Sequence, residues 1–382
     1  MIRYITCIVL FLLSCLAQGQ ISVRIFARSK PLTVVFTPSK GEYFIFSSSS
    51  DSLRVAVNEP VIFTRYDKRV IIKMKTGASV VADSVRVRPV GPDALFTLRA
   101  AGKNDAVKTL NGSLKVSSYP GSLLAVNIVN IEDYLPGVVK SEAGSRGPVE
   151  YFRAQAVVAR TYAYRNTDRH QLDGFNMCDD THCQVYPGVI TETNLIDACR
   201  STAGKVQTDS DSILIISAFH ANCGGQTAAS SDVWVSAHPY LIRVTDPFCG
   251  TSPSARWERM FTATVWNDFL RLKGIVPGGP ESVITSPQPE TKRTRYLMIA
   301  DKTVSYEDIR IGFNLRSSFF TVIPAADSVI FKGRGYGHGV GLCQDGARVM
   351  ASRGKSYQEI TGFYYPGTAV MDVKYAKKLI SP

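Results

Sequence analysis

In the first third of the chain, apolar positions recur in short alternating or continuous runs. Ile21-Ser22-Val23-Arg24-Ile25, Val55-Ala56-Val57 and Val70-Ile71-Ile72-Lys73-Met74 are divided by Ser, Gly and Pro, with a serine-rich turn at Ser47 to Ser52. Period-two patterning with such breaks predicts strands. Residues 20–111 therefore read as a β-rich accessory region with no side chain of evident chemical role. Leu123 to Ile131 (LLAVNIVNI) predicts a buried strand, and Gly137 to Gly147 predicts a loop. The period lengthens over Pro148 to Arg165, where Val149, Phe152, Ala156, Ala159 and Ala163 recur at three- and four-residue spacing behind an initial proline. That pattern predicts a helix. Asp168 to Gly188 is a polar loop, and Ile213 to His220 a strand that ends in a Gly-Gly turn. Residues 261–327 mix both periods and read as a subdomain. A strand at Ser328 to Lys332 enters the glycine-rich stretch Gly333 to Gly341, followed by helices at Gln344 to Ser352 and Tyr357 to Tyr364. The expected class is α+β: a β-rich N-terminal region and a mixed α/β core over residues 112–382 that carries a cleft.

Residues 1–19 break these periods. Arg3 is followed by the unbroken apolar run Ile8 to Leu13 and then by small residues, the pattern of a secretory signal rather than of a membrane span. Ala17-Gln18-Gly19 before Gln20 is a signal-peptidase site well placed after the apolar stretch, and is preferred on that ground. Leu12-Leu13-Ser14-Cys15 is also a lipobox, which would put a lipid on Cys15 and supply the one expected membrane contact. Either cleavage predicts work outside the cytoplasm, in the periplasm or cell envelope. The whole chain has 382 residues, 45% of them hydrophobic, which excludes disordered and collagen-like classes and allows a core in two or three domains. Eight cysteines are too few for a disulfide-dense mini-domain. The net charge of +12 suits an acidic partner. Export sets nucleic acid aside and leaves an anionic wall polymer.

Candidate chemistry is confined to a few positions. Glu142 stands in the predicted loop before the long helix, where a carboxyl near a helix N-terminus and an apolar wall can be tuned for proton transfer. Glu132 and Asp133 precede it beside Tyr134-Leu135-Pro136, which reads as a turn. In the helix, Gln155 and Arg160 interrupt an apolar stretch. At ~100° per residue they lie ~140° apart, so one could line a cleft while the other serves the fold. His170, Cys178, His182 and Cys183 offer two imidazoles and two thiols. That set suits tetrahedral Zn²⁺, and a Cys178–Cys183 disulfide suits the spacing equally. His220 ends a strand before a tight turn, and His338 sits in Gly335-Tyr336-Gly337-His338-Gly339-Val340-Gly341, which lacks the Gly-Lys-Ser/Thr ending of a phosphate loop. His238 beside Pro239 reads as a packing residue. Cys343 opens a helix five residues after His338, a nucleophile arrangement of weak geometry that would suit a cysteine peptidase or amidase.

Taken together these segments resemble the SpoIID/LytB family, the sporulation stage II protein D and amidase-enhancer proteins of bacteria. The motifs that carry the resemblance run in the family's order over roughly Leu123 to Thr368: Tyr134-Leu135-x-Gly137-Val138-Val139-x-Ser141-Glu142, Ala154-Gln155-Ala156-Val157-x-Ala159-Arg160-Thr161-Tyr162-Ala163, Cys183-Gln184-Val185-Tyr186-x-Gly188, Phe219-His220 with Gly224-Gly225-x-Thr227, the His338 glycine loop through Gln344-x-Gly346-Ala347, and Tyr364-Tyr365-Pro366-Gly367. The resemblance implies a peptidoglycan lytic transglycosylase that cleaves the MurNAc–GlcNAc bond to 1,6-anhydroMurNAc ends, with Glu142 as acid and base. It also implies that His170, Cys178, His182 and Cys183 hold a structural zinc, as some members do, although the spacing differs. Gln155, Tyr162, His220, Gly224, Gly225, His338, Gly339 and Gln344 are then the positions expected to hold acetamido and hydroxyl groups, with packing of the glycine turns as their other role. Cys223 stands where many members carry Ser or Thr, and Cys249 is the partner expected for it. The expected partners are peptidoglycan glycan strands, with a wall amidase beside them. The alternative function is a non-catalytic wall-binding protein that enhances an N-acetylmuramoyl-L-alanine amidase.

Overall fold

The computed structural model describes residues 19–47, 52–102, 106–234, 236–277, 293–299, 301–325 and 327–378. The predicted signal sequence, with Cys15, lies outside the described residues save for Gly19. Among the described residues no helix is long and apolar enough to cross a membrane. The chain forms two compact units: residues up to Ser145 with Ala163–Ala203, and Arg146–Tyr162 with Gly204 onward. The fold is α+β, as the patterning predicts.

The first unit is built on strands β1 (Gln20–Ile25), β2 (Thr33–Lys40), β3 (Tyr43–Phe46), β4 (Ser52–Val55), β5 (Val61–Tyr66), β6 (Arg69–Met74), β7 (Ser79–Ala82), β8 (Ser84–Pro89), β9 (Leu95–Ala100), β10 (Val107–Asn111), β11 (Ser113–Tyr119), β12 (Ser122–Asn130) and β13 (Met177–Cys178). A seven-stranded sheet runs in the order β13-β1-β12-β11-β8-β3-β4 and a six-stranded one in the order β10-β9-β2-β5-β6-β7. Alternation buries Val34 and Phe36 of β2, Phe63 of β5, and Phe96 and Leu98 of β9 on one side of the smaller sheet. Phe36 and Phe96 meet Tyr43 of the larger sheet edge-on, at 5.3 and 5.6 Å between ring centroids. The boundary expected between residues 111 and 112 falls between β10 and β11, yet β11 pairs with β8 and β12 pairs with β1. The strands on either side of that point therefore complete one sheet.

Residues 137–147 differ from the predicted loop. Helix α1 covers Ile131–Ala143 and runs through Pro136. Its cause is in the sequence: Ile131, Tyr134, Leu135, Val138 and Val139 form a buried stripe at helical spacing, and the Asn130 side chain caps the Glu132 amide at 2.9 Å. Four buried aliphatic side chains at ~1.5–3 kcal/mol each outweigh the ~3 kcal/mol cost of an interior proline. Glu142 thus occupies the last turn of a helix. Helix α2 (Val149–Arg165) follows, as the period predicts, and α3 (Thr193–Ser201) packs in the first unit.

The second unit contains α2 up to Tyr162, strands β14 (Lys205–Thr208), β15 (Phe219–His220), β16 (Arg256–Thr262), β17 (Tyr296–Ile299), β18 (Lys302–Ser305), β19 (Phe320–Pro324), β20 (Ser328–Arg334), β21 (Leu342–Cys343) and β22 (Ala369–Asp372), and helices α4 (Ser230–Val233), α5 (Ala263–Leu272), α6 (Tyr306–Gly312), α7 (Gln344–Ser352) and α8 (Tyr357–Tyr364). Sheet β16-β20-β19, hairpin β17-β18, α5 and α6 enclose an aromatic core that includes Trp257, Trp266, Phe313, Phe320 and Phe331, reaching past both ends of the expected 261–327 segment. The strand predicted over Ile213 to His220 pairs as a strand only at Phe219–His220. Its earlier amides bond to scattered partners, Leu214 N–H to the Lys377 carbonyl at 2.9 Å and Ile216 N–H to the Tyr240 hydroxyl at 3.1 Å, so no single neighbour lies along it. β15 and β21 pair in parallel, with His220 opposite Cys343.

Candidate active site and metal cluster

Glu142 is half-buried at the end of α1, one turn beyond the buried Val138 and Val139. Burial raises its carboxyl above the ordinary 4.5, and a backbone hydrogen bond from Val185 opposes that rise. The amide is brought there by close contact. A Cβ on Gly137 would stand 2.4 Å from the Gly188 carbonyl oxygen, and Gly188, at φ +104°, has the Thr109 carbonyl oxygen 2.2 Å from its own Cβ position. Only glycine permits both approaches. The Tyr134 hydroxyl donates to Gln184 Oε1 at 3.1 Å, and the Tyr134 and Tyr186 rings lie 4.7 Å apart. Lys108 reaches the Tyr186 carbonyl and pairs with Asp179 at 2.7 Å. Asp179 in turn accepts the Phe26 and Ala27 amides at 2.9 and 3.0 Å. The segment that carries Val185 is therefore tied to β1, β10 and α1. Asp133, on the same helix, is also raised by burial but is answered by the Asn111 side chain and the charge of Arg200, a structural role.

The structure brings His170, Cys178, His182 and Cys183 together in the first unit. One ligand atom of each lies within 4.8 Å of the others. Cys183 Sγ is 3.4 Å from His170 Nε2 and 3.5 Å from His182 Nδ1, and Cys178 Sγ is 3.7 Å from His182 Nδ1. Both cysteines are free thiols. His170 Nδ1 lies 3.5 Å from Asp173 Oδ2, an arrangement that would fix the imidazole were it a metal ligand, and its ring stacks on Phe175 at 4.7 Å. The hydrogen bond with Cys183 is the first cause that brings the Cys178 thiol down to about 5, against the opposing effect of burial. A two-nitrogen, two-sulfur set of this spacing fits a tetrahedral Zn²⁺.

The remaining expected positions lie in the second unit. Arg160 is buried and donates to the Lys205 carbonyl at 3.1 Å, so of the two polar residues in α2 it is the one that serves the fold. Gln155 is fully buried, and neither of its amide atoms has a partner among the described residues. Tyr162 and Gln344 are half-buried. His220 and His338 come together at 5.6 Å between ring centroids. His220 Nδ1 donates to the Val340 carbonyl at 3.1 Å, and His338 Nδ1 accepts the Val340 amide at 3.0 Å. Burial keeps His220 well below its ordinary value and brings His338 down to about 4, so both are neutral at pH 7. Packing accounts for two of the glycines. A Cβ at Gly224 would meet Arg334 at 2.6 Å, and one at Gly339 would meet the Arg293 guanidinium at 2.7 Å; Gly225 has open space there. Cys343 is buried, burial pushes its thiol well up, and its sulfur accepts amides from Cys223 and Gly346 at 3.3 and 3.4 Å. These are the marks of a structural cysteine and not of a nucleophile activated by His338.

A family model described as SpoIID, Stage II sporulation protein, matches residues 119–208. Stage II sporulation protein D of Bacillus subtilis is 32% identical over 284 residues, covering 69% of this chain and 81% of that protein. The chain belongs to the SpoIID family. An uncharacterised protein of Brachyspira hyodysenteriae is likewise 32% identical over 276 residues, 71% of this chain and 74% of the relative. The Amidase enhancer of Bacillus subtilis is 30% identical over 292 residues, 62% of this chain but 40% of that longer protein. The SpoIID match contains Glu142, Gln155, Tyr162 and all four residues of the His/Cys cluster; His220, His338 and Gln344 lie beyond it. Two features of this SpoIID chain escaped sequence reasoning. The Val185 amide carries no side-chain signal at all. Trp234, half-buried and 5.7 Å from the His338 ring, stands far from it in sequence.

Proposed function

We propose that the protein is an exported peptidoglycan lytic transglycosylase in which Glu142 acts first as general acid and then as general base. The observation that carries this reading is the desolvated Glu142 carboxyl at the end of α1, which holds its proton to a higher pH than an exposed glutamate does. The protonated carboxyl donates to the glycosidic oxygen as that oxygen leaves C1 of N-acetylmuramic acid. The carboxylate then takes the proton of the sugar's own 6-hydroxyl as its oxygen bonds to C1. No water is consumed, so the second carboxylate of an ordinary glycosidase is not required. The Val185 amide orients the carboxyl and stabilises its ionised form. Zinc held by His170, Cys178, His182 and Cys183 would rigidify the segment that carries Val185. The neutral His220 and His338 of the second unit suit uncharged hydroxyls of a glycan. On this reading the protein works in the cell envelope on glycan strands.

A second reading, a non-catalytic wall protein that stimulates an amidase, is favoured by the relative named Amidase enhancer. One experiment separates them. Purified glycan, intact and stripped of peptides, is digested and its products are analysed by mass spectrometry. Anhydro-muramyl ends are expected from the wild type, with a rate ~10²–10⁴-fold lower for Glu142→Gln. Equal product from Glu142→Gln overturns the transglycosylase. Absence of cleavage, with amidase stimulation that survives the substitution, establishes the enhancer.

A further inference from the structure

The second unit contains a cluster that neither the family motifs nor the proposed chemistry uses. Cys223, Asp246, Cys249 and Cys343 each place one ligand atom within 4.8 Å of the others. They are 0%, 2%, 1% and 0% exposed. We propose that these four residues form a second, structural metal site, with three thiolates and one carboxylate oxygen around a divalent cation, zinc by its ligand chemistry.

The distances suit a single ion. Cys223 Sγ lies 3.4 Å from Cys249 Sγ and 3.1 Å from Asp246 Oδ2, close to the ~3.7 Å edge of a tetrahedron with ~2.3 Å metal–sulfur bonds. The surroundings already hold each ligand in place. Asp246 Oδ1 accepts the Phe248 amide at 2.8 Å, and Oδ2 accepts the Tyr364 hydroxyl at 2.9 Å. Cys343 Sγ receives its two amides, one from the first turn of α7, and Cys249 has a backbone hydrogen bond from Gly225. A Cβ on Gly346 would stand 2.4 Å from Asp246 Oδ2 and 2.1 Å from the Tyr364 hydroxyl, so this glycine makes room for the carboxylate and its outer partner. Such outer hydrogen bonds are what orient and tune metal ligands.

Charge and stoichiometry argue the same way. Three thiolates and a carboxylate around a divalent ion leave a net charge of about −2. The Arg293 guanidinium, itself 3% exposed, donates to the Cys223 carbonyl at 2.9 Å and faces that charge from inside the unit. The pairing expected for Cys223 with Cys249 would use two of the three sulfurs and leave the third thiol and Asp246 buried beside it. One ion engages all four, and its binding displaces the three thiol protons. Softness of the thiolates selects zinc over magnesium or calcium. The ligands come from three segments: the turn after β15 that follows His220, the Asp246-Pro247-Phe248-Cys249 loop, and the end of β21 next to Gln344. The ion would pin together the backbone that presents His220, Gly225 and Gln344.

The test counts zinc ions per chain by native mass spectrometry after Zn²⁺ loading under mild reduction. The double variant Cys178→Ser/Cys183→Ser disables the first cluster and is expected to retain one zinc per chain. Adding Cys249→Ser is expected to remove it. In the otherwise unaltered chain, Cys249→Ser should lose one equivalent relative to wild type whatever the first cluster does. Asp246→Asn preserves size and guards against misfolding; its apparent zinc affinity should fall at least tenfold. Disulfide mapping of the protein as purified completes the test, with Cys223, Cys249 and Cys343 expected as free thiols. Unchanged zinc content in Cys249→Ser, a metal-free Cys178→Ser/Cys183→Ser chain, or a mapped Cys223–Cys249 disulfide overturns the site.

Discussion

At the scale of the residue, environment rather than identity separates the side chains that matter. Glu142 and Asp133 sit on one helix and both feel burial, yet Asp133 is answered by Asn111 and Arg200, whereas the Glu142 carboxyl is met by the Val185 amide. The raised Glu142 carboxyl links to stability with a definite sign. A folded state that holds the proton more tightly than the unfolded chain loses stability as pH rises through the folded value. Below the ordinary 4.5 both states are protonated and the effect vanishes. Glu142→Gln is therefore expected to melt above the wild type at pH 7, with the difference closing below pH ~4.5 in calorimetry. The reverse order at pH 7 would mean that the Val185 hydrogen bond outweighs desolvation. Gln155 and Arg160 look alike by spacing, and only their partners distinguish them: Arg160 has the Lys205 carbonyl, while Gln155 has none among the described residues.

At the scale of the element, α1 and the 183–188 segment act as a pair. Gly137 and Gly188 let two backbones approach to distances no side chain tolerates, and this contact delivers Val185 to Glu142. Gly137→Ala inserts a methyl group 2.4 Å from the Gly188 carbonyl oxygen. It should cost ~1–3 kcal/mol in urea unfolding. Because the displaced segment carries the Val185 amide, turnover in the proposed transglycosylase reaction should fall by more than the loss of folded protein explains. Wild-type stability and turnover in this variant would refute the coupling. Helix α2 was legible from its period. Helix α1 was not, because Pro136 and the polar Ser141-Glu142 ending read as a turn and loop, although the stripe Ile131, Tyr134, Leu135, Val138 and Val139 was already in the sequence.

At the scale of the whole molecule, two facts bear on what the protein meets. Its net charge is +12, and the patterning predicts export. If charge draws the protein to an anionic wall polymer, binding to isolated sacculi should weaken severalfold in a sedimentation assay as salt rises from ~0.1 to ~1 M, where the Debye length shrinks from ~10 to ~3 Å. Binding indifferent to salt would assign the attraction to the glycan-holding groups alone.

The sequence alone settled what depends on neighbours along the chain. The class, α2, α7 and α8, most of the first strands and the family all follow from local period and motif, and so does the choice of Glu142 as the candidate carboxyl. What only the tertiary structure decided depends on groups distant in sequence. The pairing of β1 with β12 and β13, the Val185 amide at Glu142, and the packing duties of Gly224 and Gly339 are of this kind. The two metal-like clusters divide along the same line. His170, Cys178, His182 and Cys183 fall within 14 consecutive positions, so their spacing announced them. Cys223, Asp246, Cys249 and Cys343 span 121 positions and become neighbours only when β15 pairs with β21. Spacing along a chain encodes a site only where the chain itself holds the ligands together; elsewhere the fold must do so.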